Sequence, residues 1–120
     1  MNRLQHFLHA KTQFNLHSPF VYGLYTEVLF SRAKGAPQGR FAEVVWRLER
    51  RYNVTADRSA NTATLDTSDG RFFVIDHPHR DETRWQSIIA DPQWQATIDL
   101  FSVGLAVANP RLSKQHFILR

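Results

Sequence analysis

The chain contains no cysteine among its 120 residues. Disulfides, thiolate zinc sites and a cysteine nucleophile are excluded together. Lysine is scarce, since twelve of the fifteen basic residues are arginine. Five glycines and five prolines are too few and too scattered for a flexible or proline-rich linker. No apolar run is long enough to cross a bilayer. The opening residues, Met1 to Phe7, lack the apolar stretch of a secretory leader. These absences together lead to the expectation of a cytoplasmic protein without a membrane span. The length excludes a dinucleotide-binding fold joined to a separate substrate domain, so residues 1–120 are read as a single domain.

Charge is present but unevenly spread. Residues 1–52 carry eight Lys or Arg against three acids, residues 53–110 carry four against eight, and the last ten carry three bases and no acid. Basic ends around an acidic middle suit packing between the halves or between subunits. They also suit phosphate contacts, for which arginine is well shaped, so an RNA- or DNA-binding accessory role is a competing reading.

The apolar pattern changes period near residue 53. Leu4, Phe7, Leu8 and Phe14 follow a helical stripe. Ser18-Pro19 reads as a helix start, with Phe20, Val21, Leu24, Tyr25, Val28 and Leu29 making a helix apolar on two sides. Phe41, Val44, Val45, Leu48 and Tyr52 mark a third helix, with Arg47, Arg50 and Arg51 largely on its outer face. Beyond it, Thr62–Thr67, Phe72–Ile75, Ala96–Phe101, Gly104–Val107 and His116–Leu119 read as strands. One helix near 80–90 carries Trp85, Ile88 and Ile89. The expectation is an α+β fold: three N-terminal helices (1–52) on a small mixed, mostly antiparallel sheet of four to five strands (53–120). One right-handed β-α-β step should run from Phe72 through Trp85 to Phe101.

Two stretches resemble one family. His17-Ser18-Pro19-Phe20-Val21-Tyr22 resembles the N-terminal signature of a group of bacterial class I S-adenosylmethionine-dependent methyltransferases. Phe73-Val74-Ile75-Asp76, Trp85 to Pro92, Thr97-Ile98-Asp99-Leu100-Phe101, Val103-Gly104-Leu105 and Gln115 to Arg120 resemble that group's C-terminal end, in the same order. The resemblance covers about two thirds of the chain and implies a reduced Rossmann-like fold. It also implies cofactor positions, and here the sequence departs from the family. The glycine-rich turn that lets a backbone approach the cofactor is missing. Its nearest counterpart, Thr64 to Gly70 with Asp66, has one glycine and runs straight into the next strand. Around Asp69-Gly70 the local reading is a β-hairpin. Asp76 holds a position matching a family acid near the cofactor, and His77 stands where a second acid is usual. The implied function is therefore a shortened, non-catalytic relative serving as an interaction or oligomerisation module, as a homodimer or with another protein chain. No cofactor is expected. S-adenosylmethionine enters only under the alternative of an active methyltransferase whose site is completed across a dimer.

Asp76-His77-Pro78-His79 is the one cluster suited to metal binding or proton transfer. A metal needs three or four ligands, and no further pair has a telling spacing; His17 and His116 are unattached candidates. The plainer reading has Asp76 and His79 capping the following helix. His17 reads as a staple at a helix entry, and Tyr22 and Tyr25 as packing residues. Arg47, Arg50 and Arg51 form a phosphate-facing stripe or, with Glu43 pairing to Arg47, a solvated helix face. Trp46 and Trp94, if exposed, mark an interaction surface.

Overall fold

The computed structural model describes residues 19–30 and 35–119. The expected helix over Leu4–Phe14 and the readings at His17 and Ser18 lie outside the described residues. The described fold is α+β, with three helices and a six-stranded mixed sheet.

Helix α1 (Pro19–Leu24) runs directly into a π-helical turn (Tyr25–Phe30). Its two apolar sides are both used: Val21, Leu24, Tyr25, Val28 and Leu29 are all at most 2% exposed. Tyr22 differs from the packing role expected of it and is the exposed large apolar residue among those described. Helix α2 (Arg40–Tyr52) buries Val44, Val45 and Leu48, the middle of the predicted stripe. It ends where Asn53 turns into the left-handed region and Val54 N–H returns to Glu49 O at 3.1 Å.

The strands are β1 (Asp57–Arg58), β2 (Thr62–Thr67), β3 (Gly70–Asp76), β4 (Ala96–Asp99), β5 (Val103–Ala108) and β6 (Gln115–Ile118), in the spatial order β1-β2-β3-β5-β4-β6. The sheet is larger than expected because Asp57 and Arg58 add an edge strand opposite Thr64 and Ala63. All neighbours are antiparallel except β4 and β6. Helix α3 (Glu82–Ala90) connects β3 to β4. Those two strands run in the same direction, as predicted, but they are not neighbours. The three-residue link Leu100–Ser102 folds β5 back into the gap between them.

Strand alternation sorts the side chains onto two faces. Phe72, Val74, Ala96, Ile98, Val103, Leu105, Val107 and Phe117 share one hydrophobic cluster with α1 and α2. The opposite face carries Ile75, Thr97, Asp99, Gly104 and Ala106, with Trp85 of α3 laid across it. Trp85 is fully buried. A Cβ on Gly104 would lie 2.8 Å from its ring, so only glycine lets the indole sit this close to the sheet.

The β2–β3 hairpin turns over Ser68 and Asp69, with Thr67 paired to Gly70. Tyr52 donates its hydroxyl to Asp69 at 2.7 Å and meets Phe72 edge-on at 5.3 Å, tying the end of α2 to this turn. Burial, followed by the Asp69 bond, pushes the Tyr52 pKa from its ordinary 10.0 up to about 12. The folded chain therefore holds this proton more tightly than the unfolded one. The stability it adds is complete below about pH 10 and is lost as pH rises through about 12. Tyr52→Phe is expected to cost about 1 kcal/mol at neutral pH, because the ring is only half-buried. It should also flatten the alkaline fall in stability. Urea midpoints for both proteins across that range check this, and an unchanged alkaline slope would refute it.

Candidate functional site

Strands β3 and β4, which run in the same direction, finish together in Asp76 and Asp99. Carboxyl ends of such strands are where α/β sheets place ligands. Here the backbone is forced into unusual shapes. His77 sits at φ 47° and Phe101 at φ 68°, a region that non-glycine residues rarely adopt. His77 N–H donates to Ser102 O at 2.9 Å, fastening the end of β3 to the β4–β5 link. Pro78–Arg80 then form one 3-10 turn before α3.

That turn delivers the His79 ring to Asp99. Asp99 is 1% exposed, although it lies in a strand of otherwise uncharged residues. Its Oδ1 accepts from Phe101 N–H at 2.8 Å, and its Oδ2 lies 2.5 Å from His79 Nε2. The other ring nitrogen, Nδ1, lies 2.6 Å from Glu82 Oε1 in the first turn of α3. Each ring nitrogen therefore faces a carboxylate oxygen, which can only accept. The ring also stacks on Phe101, with centroids 5.6 Å apart. In this arrangement both ring nitrogens of His79 are engaged by carboxylates.

His116 of β6 completes the polar row on this face. Its Nδ1 shares a 2.7 Å hydrogen bond with Thr97 Oγ1, and its ring meets the edge of Trp85 at 6.2 Å. Loss of hydration beside the indole holds the His116 pKa below the usual histidine value, against the opposing pull of Asp99. Trp85 Nε1 is buried and has no hydrogen-bond partner among the described residues.

The structure separates the residues grouped on the sequence. His77 Nδ1 pairs with Asp76 Oδ1 at 2.7 Å, while His79 turns to Asp99 and Glu82. The two imidazoles therefore answer to different carboxylates. Among the described residues no group of three His, Asp or Glu side chains is arranged to hold a metal ion. The helix cap expected of Asp76 and His79 is supplied by Asp81, whose Oδ1 accepts from Arg84 N–H at 3.1 Å. Asp66 is exposed and pairs with Arg71 across the hairpin at 2.7 Å. Gly70 begins β3 with its backbone against Ala108.

The arginine stripe is divided as well. Arg51 pairs with Glu27, and Arg47 Nη1 donates to Glu27 O at 3.5 Å, so both turn toward the helix before them. Glu43, which is buried, pairs with Arg40 at 2.8 Å rather than with Arg47. Arg50 remains exposed, over the ring of half-buried Trp46 at 4.8 Å. Trp94 does not mark an exposed surface: it is 8% exposed and packs on Phe73 at 5.8 Å.

No family model, no curated protein and no solved structure matches the chain. No helix among the described residues is long and apolar enough to cross a membrane. Asp99 is the central site residue that sequence reasoning passed over. Its signal is a polar pair, Thr97 and Asp99, at alternate positions of an apolar strand, which places both on one face.

Proposed function

We propose that the chain is a shortened, non-catalytic relative of class I S-adenosylmethionine-dependent methyltransferases, kept as an interaction module. The observation that carries this reading is the β2–β3 hairpin. Thr67 pairs with Gly70 across a two-residue turn, so no glycine-rich loop and no helix N-terminus stand between these strands to meet a cofactor. The order β3, α3, β4, its hairpin partner β5 and the closing strand β6 is the order the resemblance calls for, which supports the kinship. The engagement of both His79 nitrogens supports the absence of catalysis.

The favoured partner is a second copy of the chain, in the cytoplasm. Support comes from the last strand. Gln115 N–H and Leu119 N–H bond toward β4, which turns the backbone groups of His116 and Ile118 away from it. Such an edge accepts a further strand.

Titration calorimetry with S-adenosylmethionine, run alongside sedimentation at several concentrations, tests the reading. No heat of binding and a concentration-dependent dimer are expected. Micromolar binding would instead favour an active site shared across a dimer, and a monomer at high concentration would remove the self-association.

A further inference from the structure

The geometry points to Asp69–Gly70 as a site of spontaneous covalent modification, the conversion of Asp69 to isoaspartate, with Tyr52 as the residue that restrains it. Asp69 is the one Asp or Asn in the sequence that is followed by glycine. Attack of a backbone nitrogen on the preceding carboxyl is hindered by the side chain that nitrogen carries with it, and glycine has none. The fold holds the chain to this dipeptide. Position 70 needs glycine, since φ is 114° and a Cβ would lie 2.1 Å from Ala108 O. Position 69 supplies the carboxylate that ties the turn to the end of α2.

The reaction needs no partner but water. Gly70 N bonds to Cγ of Asp69 in its acid form, and the carboxyl hydroxyl leaves with the amide proton as one water molecule. A five-membered succinimide results. A second water then opens one of the two ring carbonyls. Opening at the side-chain carbonyl restores Asp69. Opening at the main-chain carbonyl breaks the old peptide bond and leaves the chain running through the side chain, with no net change in mass.

Three contacts hold the reacting groups in place. Tyr52 O–H donates to Asp69 Oδ2 at 2.7 Å and directs the carboxyl toward α2. The Arg51 guanidinium also reaches this hydroxyl, as a donor, which leaves the hydroxyl proton to Asp69. Thr67 Oγ1 accepts from Asp69 N–H at 3.1 Å and donates to Gly70 O at 2.8 Å, gripping the chain on both sides of the reacting bond. To bring Cγ onto Gly70 N, the side chain must leave Tyr52 and the backbone must rotate against Thr67. The product runs one carbon longer through the turn. Thr67 and Gly70 pair across two residues, and Gly70 lies against Ala108, so the added atom has no slack to enter. Conversion therefore opens this end of the hairpin and releases Tyr52.

Incubation of the whole chain in heavy-oxygen water at mildly acidic pH tests this, because each passage through the ring takes one oxygen from the solvent. Peptide mapping by mass spectrometry reads the label at Asp69, and the isoaspartyl peptide separates by its retention. Labelling is expected to be fastest in chains held unfolded in urea and slowest in the folded wild type. Folded Tyr52→Phe should label roughly three- to tenfold faster than wild type, the factor that loss of one hydrogen bond allows. Ile98→Val, a change of comparable cost at a fully buried position of β4, should label like wild type. Equal rates in wild type and Tyr52→Phe would overturn the proposal, as would a wild-type rate equal to that in urea. If Ile98→Val labels as fast as Tyr52→Phe, the reaction runs through global unfolding and Tyr52 restrains nothing. No label at Asp69 in urea would remove the site itself.

Discussion

Asp99→Ala is expected to be among the most damaging single changes in the chain, costing about 3–5 kcal/mol of folding stability. The argument is one of abandonment rather than of lost attraction. The carboxylate is 1% exposed and holds both His79 Nε2 and Phe101 N–H. Removing it strands a largely buried imidazole and an amide on a residue at φ 68°. Replacing both partners together, as Asp99→Val with His79→Phe, should recover a large share of the loss, because no buried imidazole is then stranded, although Phe101 N–H stays without its acceptor. Urea unfolding of the three proteins decides it. If the double variant is no more stable than Asp99→Ala alone, the stranded-imidazole explanation fails.

Gly70→Ala is expected to cost about 3 kcal/mol or more, from two sources. Gly70 has φ 114°, where an L side chain collides with its own backbone. A Cβ there would also lie 2.1 Å from Ala108 O, a backbone atom of β5 that cannot swing aside. Either β3 and β5 separate at Arg71–Ala108, or the hairpin changes its turn. Ser68→Ala, one position before Asp69 on the exposed turn, should move the midpoint little by comparison. Equal midpoints for the two variants would show that the close approach at Ala108 is relaxed in solution.

Both expectations show where sequence patterns reach and where they stop. The hairpin was legible because Ser68-Asp69-Gly70 is local turn chemistry flanked by alternating strands. The helix stripes of α1 and α2 were legible because burial on one side recurs every three or four residues. The sheet order was not. Strand β5 lies between β3 and β4 through pairings such as Val74 with Leu105, and no residue in either strand carries a mark of its partner. Strand β1 escaped notice because two exposed residues have no period to detect. His79 was visible as chemistry, but its role was not. Asp99 is twenty positions away and reaches it only after α3 has crossed the sheet. Trp94 was misjudged for a related reason: nothing near Pro92 reveals that Phe73 of β3 covers it.

The placement of β5 also fixes a schedule for the growing chain. When residue 76 has been made, the β2–β3 hairpin can close on itself, but β3 keeps one open edge. Helix α3 and β4 follow next, and neither can cover that edge. Only when Val103–Ala108 has been made can β3 be sealed, and the same event fixes β4 in place. For a stretch of synthesis equal to the whole α3–β4 segment, an apolar strand carrying Phe72, Val74 and Ile75 waits for its neighbour. Aggregation from ribosome-bound chains halted in that interval is the vulnerability this order of strands carries.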